Sequence, residues 1–295
     1  MSLYKTDTAT NVRKGEEIDL EKLNLYLSTA ETWMGEIIEV TQFAGGFSNL
    51  TYCLKTVGKE YVLRRPPFGA NIKSAHDMGR EFKVLSLLKG NYNKVPQPVI
   101  YCEDAEVMGA PFYIMERIEG VILRAANAPK MQLPPEIFRA CSEALIDNLV
   151  ALHSLNIETT GLIQLGKPEG YVQRQVEGWI KRYYNSETDK IESLDTVATW
   201  LKNNLPAERY TAFIHNDYKY DNVVLNPDNL ADIIGQDAVA ACYFLLRDAS
   251  GHFAFNACRP KHVPRIDHFS IINLQLIPII ALHVHVVVYR NRFLR

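Results

Sequence analysis

The stretch Phe213–Asn222, "FIHNDYKYDN", decides how the fold of this 295-residue sequence is interpreted. It passes from a short apolar run into a polar loop with the order His-x-Asp-x-x-x-x-Asn, formed by His215, Asp217 and Asn222. One polar motif can also be a solvated surface turn, so the motif alone does not separate a turn from a chemical site. The residues around the motif distinguish a surface turn from a chemical site.

The same spacing occurs in the catalytic loops of enzymes that transfer phosphoryl groups. In such loops the Asp orients or accepts the proton of the attacking hydroxyl, and the Asn binds magnesium. Asp217 is therefore a candidate catalytic residue and Asn222 a candidate metal ligand. Lys219 is a second catalytic candidate, because its ammonium can lie beside the carboxylate and stabilise charge on the transferred group.

Composition is that of an ordinary globular protein, with 47% hydrophobic residues, 22% charged residues and a formal net charge of −2. It does not indicate nucleic-acid binding, so we expect a small-molecule partner. Five scattered cysteines without CxxC spacing favour a reducing compartment. With no signal-peptide pattern at the N-terminus we expect a cytoplasmic location. The apolar run Ser270–Tyr289 is interrupted by polar residues and Pro278, which disfavours a membrane span, and the oligomeric state is left open.

Apolar periodicity and turn residues predict an α+β fold with a strand-rich first half and a helical second half. Such an order favours two lobes with a cleft between them. The predicted elements are a leading helix at 18–33, strands at about 37–43, 49–56 and 60–65, a helix at 74–88, strands in "VPQPVIYC" and "PFYIMERIEG", and helices in "PPEIFRACSEALIDNLVALHSLN", "GYVQRQVEGWIKRYYNS" and "ESLDTVATWLKNNL". The predicted domains are 1–117 for the strand-rich lobe, 118–235 for the helical lobe with the catalytic loop, and 236–295 for an atypical tail.

Polar residues in the strand-rich half support a phosphate-binding site. In "GGFSNLTY" the glycines let the backbone approach a phosphate group closely, and Ser48 and Asn49 offer donors to phosphate oxygens. Most Gly-Gly hairpins, however, are only turns. Arg64 occupies the third-strand position where a kinase has its phosphate-binding lysine, and Glu81 on the next helix would be its ion-pair partner. Either charge could be a solvated surface residue. The hairpin, the basic strand residue, the acidic helix residue and the HxDx4N loop nevertheless occur in an order that chance rarely produces.

With these motifs the sequence resembles the aminoglycoside phosphotransferase and choline-kinase-like family, which has a protein-kinase-like fold. It is most similar to the phosphotransferase domain attached to some acyl-CoA dehydrogenases and to free-standing bacterial relatives of that domain. The resemblance runs from about Ile18 to Gly235. It rests on "GGFSNLTY", "YVLRRPP", "GREFKVLSLL", "VPQPVIYCED", "FYIMERIEG", "LHSLNIE", "GYVQRQVEGW" and "HNDYKYDN".

The resemblance implies ATP and Mg²⁺ as cofactors and a hydroxyl of a small molecule as phosphate acceptor, with a hydroxylated acyl group as one candidate. It also implies that His215 braces the catalytic loop rather than transferring protons. The implied nucleotide-binding residues are Ser48 and Asn49 in the hairpin, Arg64 and Glu81 as the ion pair, Met115 at the back of the adenine pocket, and Glu116 and Ile118 on the connecting segment.

The family pattern ends after Gly235. In close relatives the segment that follows "ADIIG" resembles "VLDWE", a strand with the Asp that is the principal magnesium ligand, whereas this chain has "QDAVA". Asp237, 15 residues after Asn222, is the candidate replacement ligand. An Asp near a loop is more often simply solvated.

Composition changes at the same point. Residues 1–235 contain 20 Glu and residues 236–295 contain none, while this last segment holds five of the eight His. We interpret the C-terminal lobe as incomplete, its tail translated in an altered reading frame or arising from an aberrant splice end. Two functions stay open from sequence: an ATP- and magnesium-dependent small-molecule kinase, and a catalytically silent nucleotide-binding or misfolded product.

Overall fold

A computed structural model describes most of the chain. The described residues are 2–30, 32, 34–43, 49–69, 77–206, 211–237 and 241–244. The contacts form two compact units, one made of residues 1–165 and 218–241 and the other of residues 166–217 and 242–295. Of residues 236–295, to which the altered-tail hypothesis applies, the structure describes only 236, 237 and 241–244, and the apolar run at 270–289 lies outside the described ranges.

The first unit begins with a five-stranded antiparallel sheet in the order β1-β2-β3-β5-β4. The sheet confirms the predicted meander, because β1, β2 and β3 follow one another as neighbours. The elements are α1 (Leu20–Thr29), β1 (Glu39–Gln42), β2 (Leu50–Lys55), β3 (Glu60–Arg65), α2 (Met78–Leu88), β4 (Pro98–Cys102), α3 (Ala105–Met108) and β5 (Phe112–Glu116).

One face of this sheet forms a core with α1. Tyr52, Leu54, Leu63 and Ile114 are fully buried there together with Leu23 of the helix. Successive residues of a strand point to opposite faces, so the same strands present their remaining side chains to the other side of the sheet. Helix α2 packs near β4 and β5.

Helix α2 is held close to the sheet by aromatic contacts and by a small residue. The ring of Phe82 stacks on Tyr101 with 5.9 Å between ring centroids. Gly79 lies so near that a methyl group added to it would come within 3.0 Å of the Tyr101 hydroxyl. The helix begins at Asp77, whose side chain accepts a hydrogen bond from the backbone N–H of Arg80, as an N-cap residue does.

The rest of the first unit is a long helix packed on a two-stranded hairpin. Helix α4 (Pro135–His153) contacts β8 (Asn229–Gln236), which pairs antiparallel with β7 (Val223–Asn226). Their shared core includes Cys141, Leu225 and Ile233. Prolines at the start of α4 are tolerated because the first helical N–H groups have no partner within the helix.

The segment after β5 crosses this hairpin closely. Val121 pairs with Leu225 through two backbone hydrogen bonds of 2.9 and 2.8 Å. A methyl group on Gly120 would lie 2.5 Å from the Leu225 carbonyl oxygen, and one on Gly235 would lie 2.7 Å from Ile118. This packing joins the segment after β5 to the β7–β8 hairpin within the first unit.

Residues 3–10, which we call the N-terminal strap, run across the same region. The backbone N–H groups of Tyr4 and Asp7 donate to the carbonyls of Pro227 and Gly120, at 3.1 and 2.8 Å. Thr10 exchanges two backbone hydrogen bonds with Gln42 at the end of β1. The strap therefore joins the five-stranded sheet, the segment after β5 and the β7–β8 hairpin.

The second unit contains α5 (Tyr171–Ser186), α6 (Glu192–Asn203), and a short sheet of β6 (Phe213–His215) and β9 (Ala241–Phe244). Tyr171, Val172 and Ile214 form its buried cluster. The two helices confirm the helical second half predicted from periodicity. Within the described ranges no helix is both long enough and apolar enough to cross a bilayer.

Candidate active site

Arg64 and Glu81 form the predicted ion pair. Arg64 comes from β3 and Glu81 from the first turn of α2, and both are buried. The Arg64 Nε lies 3.8 Å from a Glu81 carboxylate oxygen. Asn49 Nδ2 donates to the other oxygen at 3.0 Å, and the hydroxyl of Tyr113 donates to the first at 2.9 Å. The helix carboxylate is thus fixed from three sides.

Arg64 makes its closest contacts with Asp237, which the sequence did not predict. Its Nη1 lies 3.0 and 2.9 Å from the two carboxylate oxygens. The guanidinium therefore lies between two acidic side chains, one from α2 and one that follows β8. A buried cation needs such partners, because desolvation without them is expensive.

The cluster shifts the pKa values of its members. Burial raises the pKa of Glu81 from its ordinary 4.5 to about 7, because it outweighs the opposing effect of Arg64 and of the two hydrogen bonds. Burial alone would lower the pKa of Arg64, but the negative charges of Asp237 and Glu81 raise it. Arg64 accordingly stays a cation at any physiological pH.

Asn222 and Asp237 lie opposite each other at one end of the β7–β8 hairpin. Val223 pairs with Gln236, and beyond this pair the backbone N–H of Asp237 donates to the Asn222 carbonyl at 2.8 Å. The structure thus brings the two predicted metal ligands together. Their side chains offer oxygen donors, which is the donor type that Mg²⁺ takes from proteins. Among the described residues no three His, Cys, Asp or Glu side chains gather in one place.

His215 contacts the loop that the sequence predicts to be catalytic. His215 is buried at the end of β6, and its Nδ1 accepts a hydrogen bond from the backbone N–H of Asp217 at 3.3 Å. This contact agrees with a bracing role for His215. The Asp217 and Lys219 side chains are exposed, as groups that meet a substrate must be. The Lys219 carbonyl accepts from the Asn222 N–H at 3.0 Å and closes the turn that ends the loop.

The predicted adenine-binding residues lie at the end of β5 and just after it. Met115 pairs with Val62 in the sheet, and the side chain of Glu116 forms an ion pair with Lys59. The backbone N–H of Glu116 donates to Gln97 at 2.8 Å, and Ile118 packs on Gly235.

The predicted phosphate loop is only partly described. Ser48 lies outside the described residues. Asn49 is 3% exposed, and its amide donates to Glu81 rather than pointing to an open loop. The structure therefore gives Asn49 a partner within the protein that differs from the phosphate oxygens proposed from sequence.

Sequence reasoning missed several residues that shape this region. Tyr113 stands directly opposite Arg64 in the β3–β5 pair, so the strand register would have placed both side chains on one face. The Arg64–Asp237 contact joins residues 173 positions apart and has no local signal. A second unpredicted cluster lies around Asn148 on α4.

Comparison with solved structures places this fold among the kinase-like aminoglycoside phosphotransferases. A Ralstonia eutropha protein assigned to that class is 31% identical, with a TM-score of 0.63 over 75% of this chain and 64% of that chain. The aminoglycoside phosphotransferase APH(4)-Ia, in a ternary complex with AMP-PNP and hygromycin B, has a TM-score of 0.51 at 15% identity over 75% and 71% of the two chains. The second likeness shows the fold alone.

The chain belongs to the phosphotransferase enzyme family, which matches residues 39–234. Acyl-CoA dehydrogenase family member 11 from Rattus norvegicus is 35% identical over 275 residues, which is 92% of this chain. That alignment covers 35% of the rat protein, so the chain spans about a third of the length of this relative.

Proposed function

We propose that this chain is an ATP- and Mg²⁺-dependent phosphotransferase that acts on a hydroxyl of a small molecule. The observation that carries the proposal is the meeting of Arg64, Asp237 and Asn222, which combines a buried cation for phosphate with oxygen ligands for a metal. Membership of the phosphotransferase family supports the same reaction class.

The nucleotide would use the residues predicted for it. Arg64, fixed by Glu81, would bind phosphate oxygens through its planar guanidinium, which suits phosphate geometry. Backbone groups of Glu116 and Ile118 would bind the base against Met115, with Ser48 on the phosphate side, while Asn49 holds the Glu81 carboxylate. AMP-PNP in the APH(4)-Ia complex is the class of nucleotide that we propose here.

Magnesium would be held by Asn222 and Asp237. When bound, it would neutralise charge on the phosphate oxygens. Asp237 can serve only if its carboxylate is shared with Arg64 or released from it, because both carboxylate oxygens contact Nη1 in the described state.

The reaction itself is a substitution at phosphorus. The acceptor oxygen forms a new bond to the γ-phosphorus as the bond from that phosphorus to the β,γ-bridging oxygen breaks, and ADP leaves. Asp217 orients the acceptor hydroxyl and takes its proton, and Lys219 stabilises the transferred group. His215 holds the Asp217 backbone in place.

The proposed acceptor is a hydroxylated acyl group. The support is that the rat relative has the name of an acyl-CoA dehydrogenase, although this chain spans only about a third of it. We propose no nucleic-acid or membrane partner, in keeping with the net charge of −2. Buried free thiols at Cys53, Cys102 and Cys141 support a reducing, cytoplasmic location.

The experiment is acceptor-dependent ADP release by the full chain with ATP, Mg²⁺ and a panel of hydroxyacyl thioesters, with the matching non-hydroxylated thioesters as controls. We expect ADP and a phosphorylated product only with the hydroxylated compounds. The acceptor class is wrong if an aminoglycoside reacts and no hydroxyacyl thioester does. The proposed enzyme is wrong if no hydroxyl compound raises ADP release above that of an Asp217→Asn variant.

One observation favours a second candidate, a nucleotide-binding protein without turnover. Arg64, the cation proposed to bind phosphate, is already paired with Asp237, the carboxylate proposed to bind the metal. Calorimetric binding of ATP together with no phosphoryl transfer to any acceptor would identify this alternative.

A further inference from the structure

Asn148 is an amide on the buried side of α4, where most of the other buried helix residues are apolar. It is 3% exposed, and its neighbours Leu149 and Leu152 are buried as well. A buried amide is costly unless its donors and acceptor are satisfied. The partners of Asn148 are therefore a guide to what it does.

Three segments of the chain meet at this one side chain. The Tyr92 hydroxyl donates to Asn148 Oδ1 at 2.6 Å. Asn148 Nδ2 donates to the Tyr218 hydroxyl and to Gln236 Oε1, both at 2.7 Å. Tyr218 in turn donates to the backbone carbonyl of Leu145, one turn earlier on α4, at 2.9 Å.

Two of the partners are next to proposed functional residues in the chain. Tyr218 directly follows Asp217, and Gln236 directly precedes Asp237. Consecutive Cα atoms are 3.8 Å apart and the peptide bond between them is planar, so a shift of Tyr218 or Gln236 moves the adjacent carboxylate.

We propose that Asn148 is a positioning residue that fixes the catalytic loop and the end of β8 relative to α4. It touches no reacting group and acts through the Tyr218 hydroxyl and the Gln236 amide. The proposal rests on the proposed phosphotransferase function, because only then do the positions of Asp217 and Asp237 affect a rate.

The test compares Asn148→Leu, which keeps a similar volume and removes all three hydrogen bonds, with Leu152→Ala. Leu152 is fully buried one turn later on the same helix, so its truncation destabilises α4 without removing a polar partner of the loop. Both variants are measured for kcat, for KM of ATP, and for amide hydrogen exchange.

We expect kcat of Asn148→Leu to fall about 100-fold, as for a misplacement of about 1 Å, while KM for ATP stays within about twofold. Amide hydrogen exchange in peptides spanning 217–222 and 233–237 should be about tenfold faster, which is the effect of losing one hydrogen bond. Amide hydrogen exchange in the rest of the protein should be unchanged. The effects of Tyr218→Phe and Asn148→Leu on kcat should be less than additive, since both remove the Asn148–Tyr218 hydrogen bond, while Tyr218→Phe also removes the one to the Leu145 carbonyl.

The proposal is overturned if Asn148→Leu changes kcat no more than Leu152→Ala does and speeds exchange uniformly. The proposal is also overturned if the effects of Asn148→Leu and Tyr218→Phe on kcat are fully additive. If the full chain transfers no phosphate to any acceptor, the proposed function has failed. The exchange pattern then still decides whether Asn148 positions these two segments.

Discussion

At the scale of single residues, the central feature is one guanidinium held between two carboxylates. Arg64 has Glu81 on one side at 3.8 Å and Asp237 on the other at about 3 Å. Since Glu81 is also held by Asn49 and Tyr113, Asp237 is the partner that can be exchanged. Nucleotide phosphates would therefore compete with Asp237 for Arg64, and the metal ion would compete with Arg64 for Asp237.

The first prediction concerns that competition. Replacing Asp237 by Asn removes the charge that faces Arg64, so ATP without magnesium should bind about tenfold more tightly, the worth of one charge-assisted contact. Magnesium-dependent turnover should decrease, because a candidate metal ligand is lost. Calorimetric titration with and without Mg²⁺ measures both effects. Equal ATP affinity of the two proteins without metal would show that Asp237 does not mask Arg64.

The second prediction concerns Asp217. Asp217→Asn keeps the shape of the side chain and removes its charge, so kcat should fall by roughly 10²–10⁴, the usual effect of losing a positioned base. The measurement is steady-state turnover. Glu143→Gln is the control, since Glu143 is well exposed on α4 and belongs to no part of the proposed machinery. Turnover of Asp217→Asn within twofold of the control would remove Asp217 from the mechanism.

The third prediction concerns pH and Glu81. The pKa of Glu81 is raised to about 7 by burial, so the folded protein holds this proton more tightly than the unfolded chain does. The contribution of protonated Glu81 to the free energy of unfolding is fully present below about pH 4.5 and is lost as pH rises through about 7. Between pH 5 and pH 8 the wild-type free energy of unfolding should fall by about 2 kcal/mol more than that of Glu81→Gln. Urea unfolding at the two pH values measures this difference, and parallel pH profiles of the two proteins would contradict it.

At the scale of elements, two glycines should respond to alanine in opposite directions. Gly178 is inside α5 with open space around it, so Gly178→Ala should stabilise the protein by about 1 kcal/mol through helix propensity. Gly120 meets the Leu225 backbone, so Gly120→Ala should destabilise it by about 1–3 kcal/mol. Urea unfolding distinguishes them. Equal effects would mean that the segment after β5 does not pack tightly on the hairpin.

Elements with strong local signals could be predicted from sequence. The strands of the meander alternate and are bounded by turn residues, and α2, α4, α5 and α6 have apolar stripes, so their kind and order were predicted correctly. Helix α3 was missed because four residues are too short to show a period. The strap was missed because its strand-like contact with Gln42 depends on a partner far along the chain.

The candidate site likewise contains some contacts that could be predicted from sequence and others that could not. The Arg64–Glu81 pair was predictable because each residue has a fixed place in an ordered set of motifs. The partners of Asn148 were not, because a polar residue on a helix gives no sign of what it meets across a core. The functional roles of all the candidate site residues, including Lys219 and Ser48, stay predictions.

At the scale of the whole molecule, the fifth prediction concerns the segment after Gly235. We propose that Asp237 is a weaker metal ligand than the Asp of the family motif, since the "VLDWE" pattern and the glutamates are both lost after Gly235. A chain with "VLDWE" and a family-like continuation after Gly235 should have higher magnesium-dependent turnover than the present chain. Side-by-side assays of the two proteins measure this, and equal turnover would show that Asp237 serves as well as the family's ligand.

The N-terminal strap has a practical consequence for handling the protein. The backbone N–H of Leu3 reaches the side chain of Asp228 in the turn of the β7–β8 hairpin, the hairpin whose far strand leads to Asp237. A bulky group attached to the chain at Leu3 would thus lie next to an element of the candidate site. Immobilisation for binding measurements is better made through an engineered anchor on the exposed side of α5 than through Leu3.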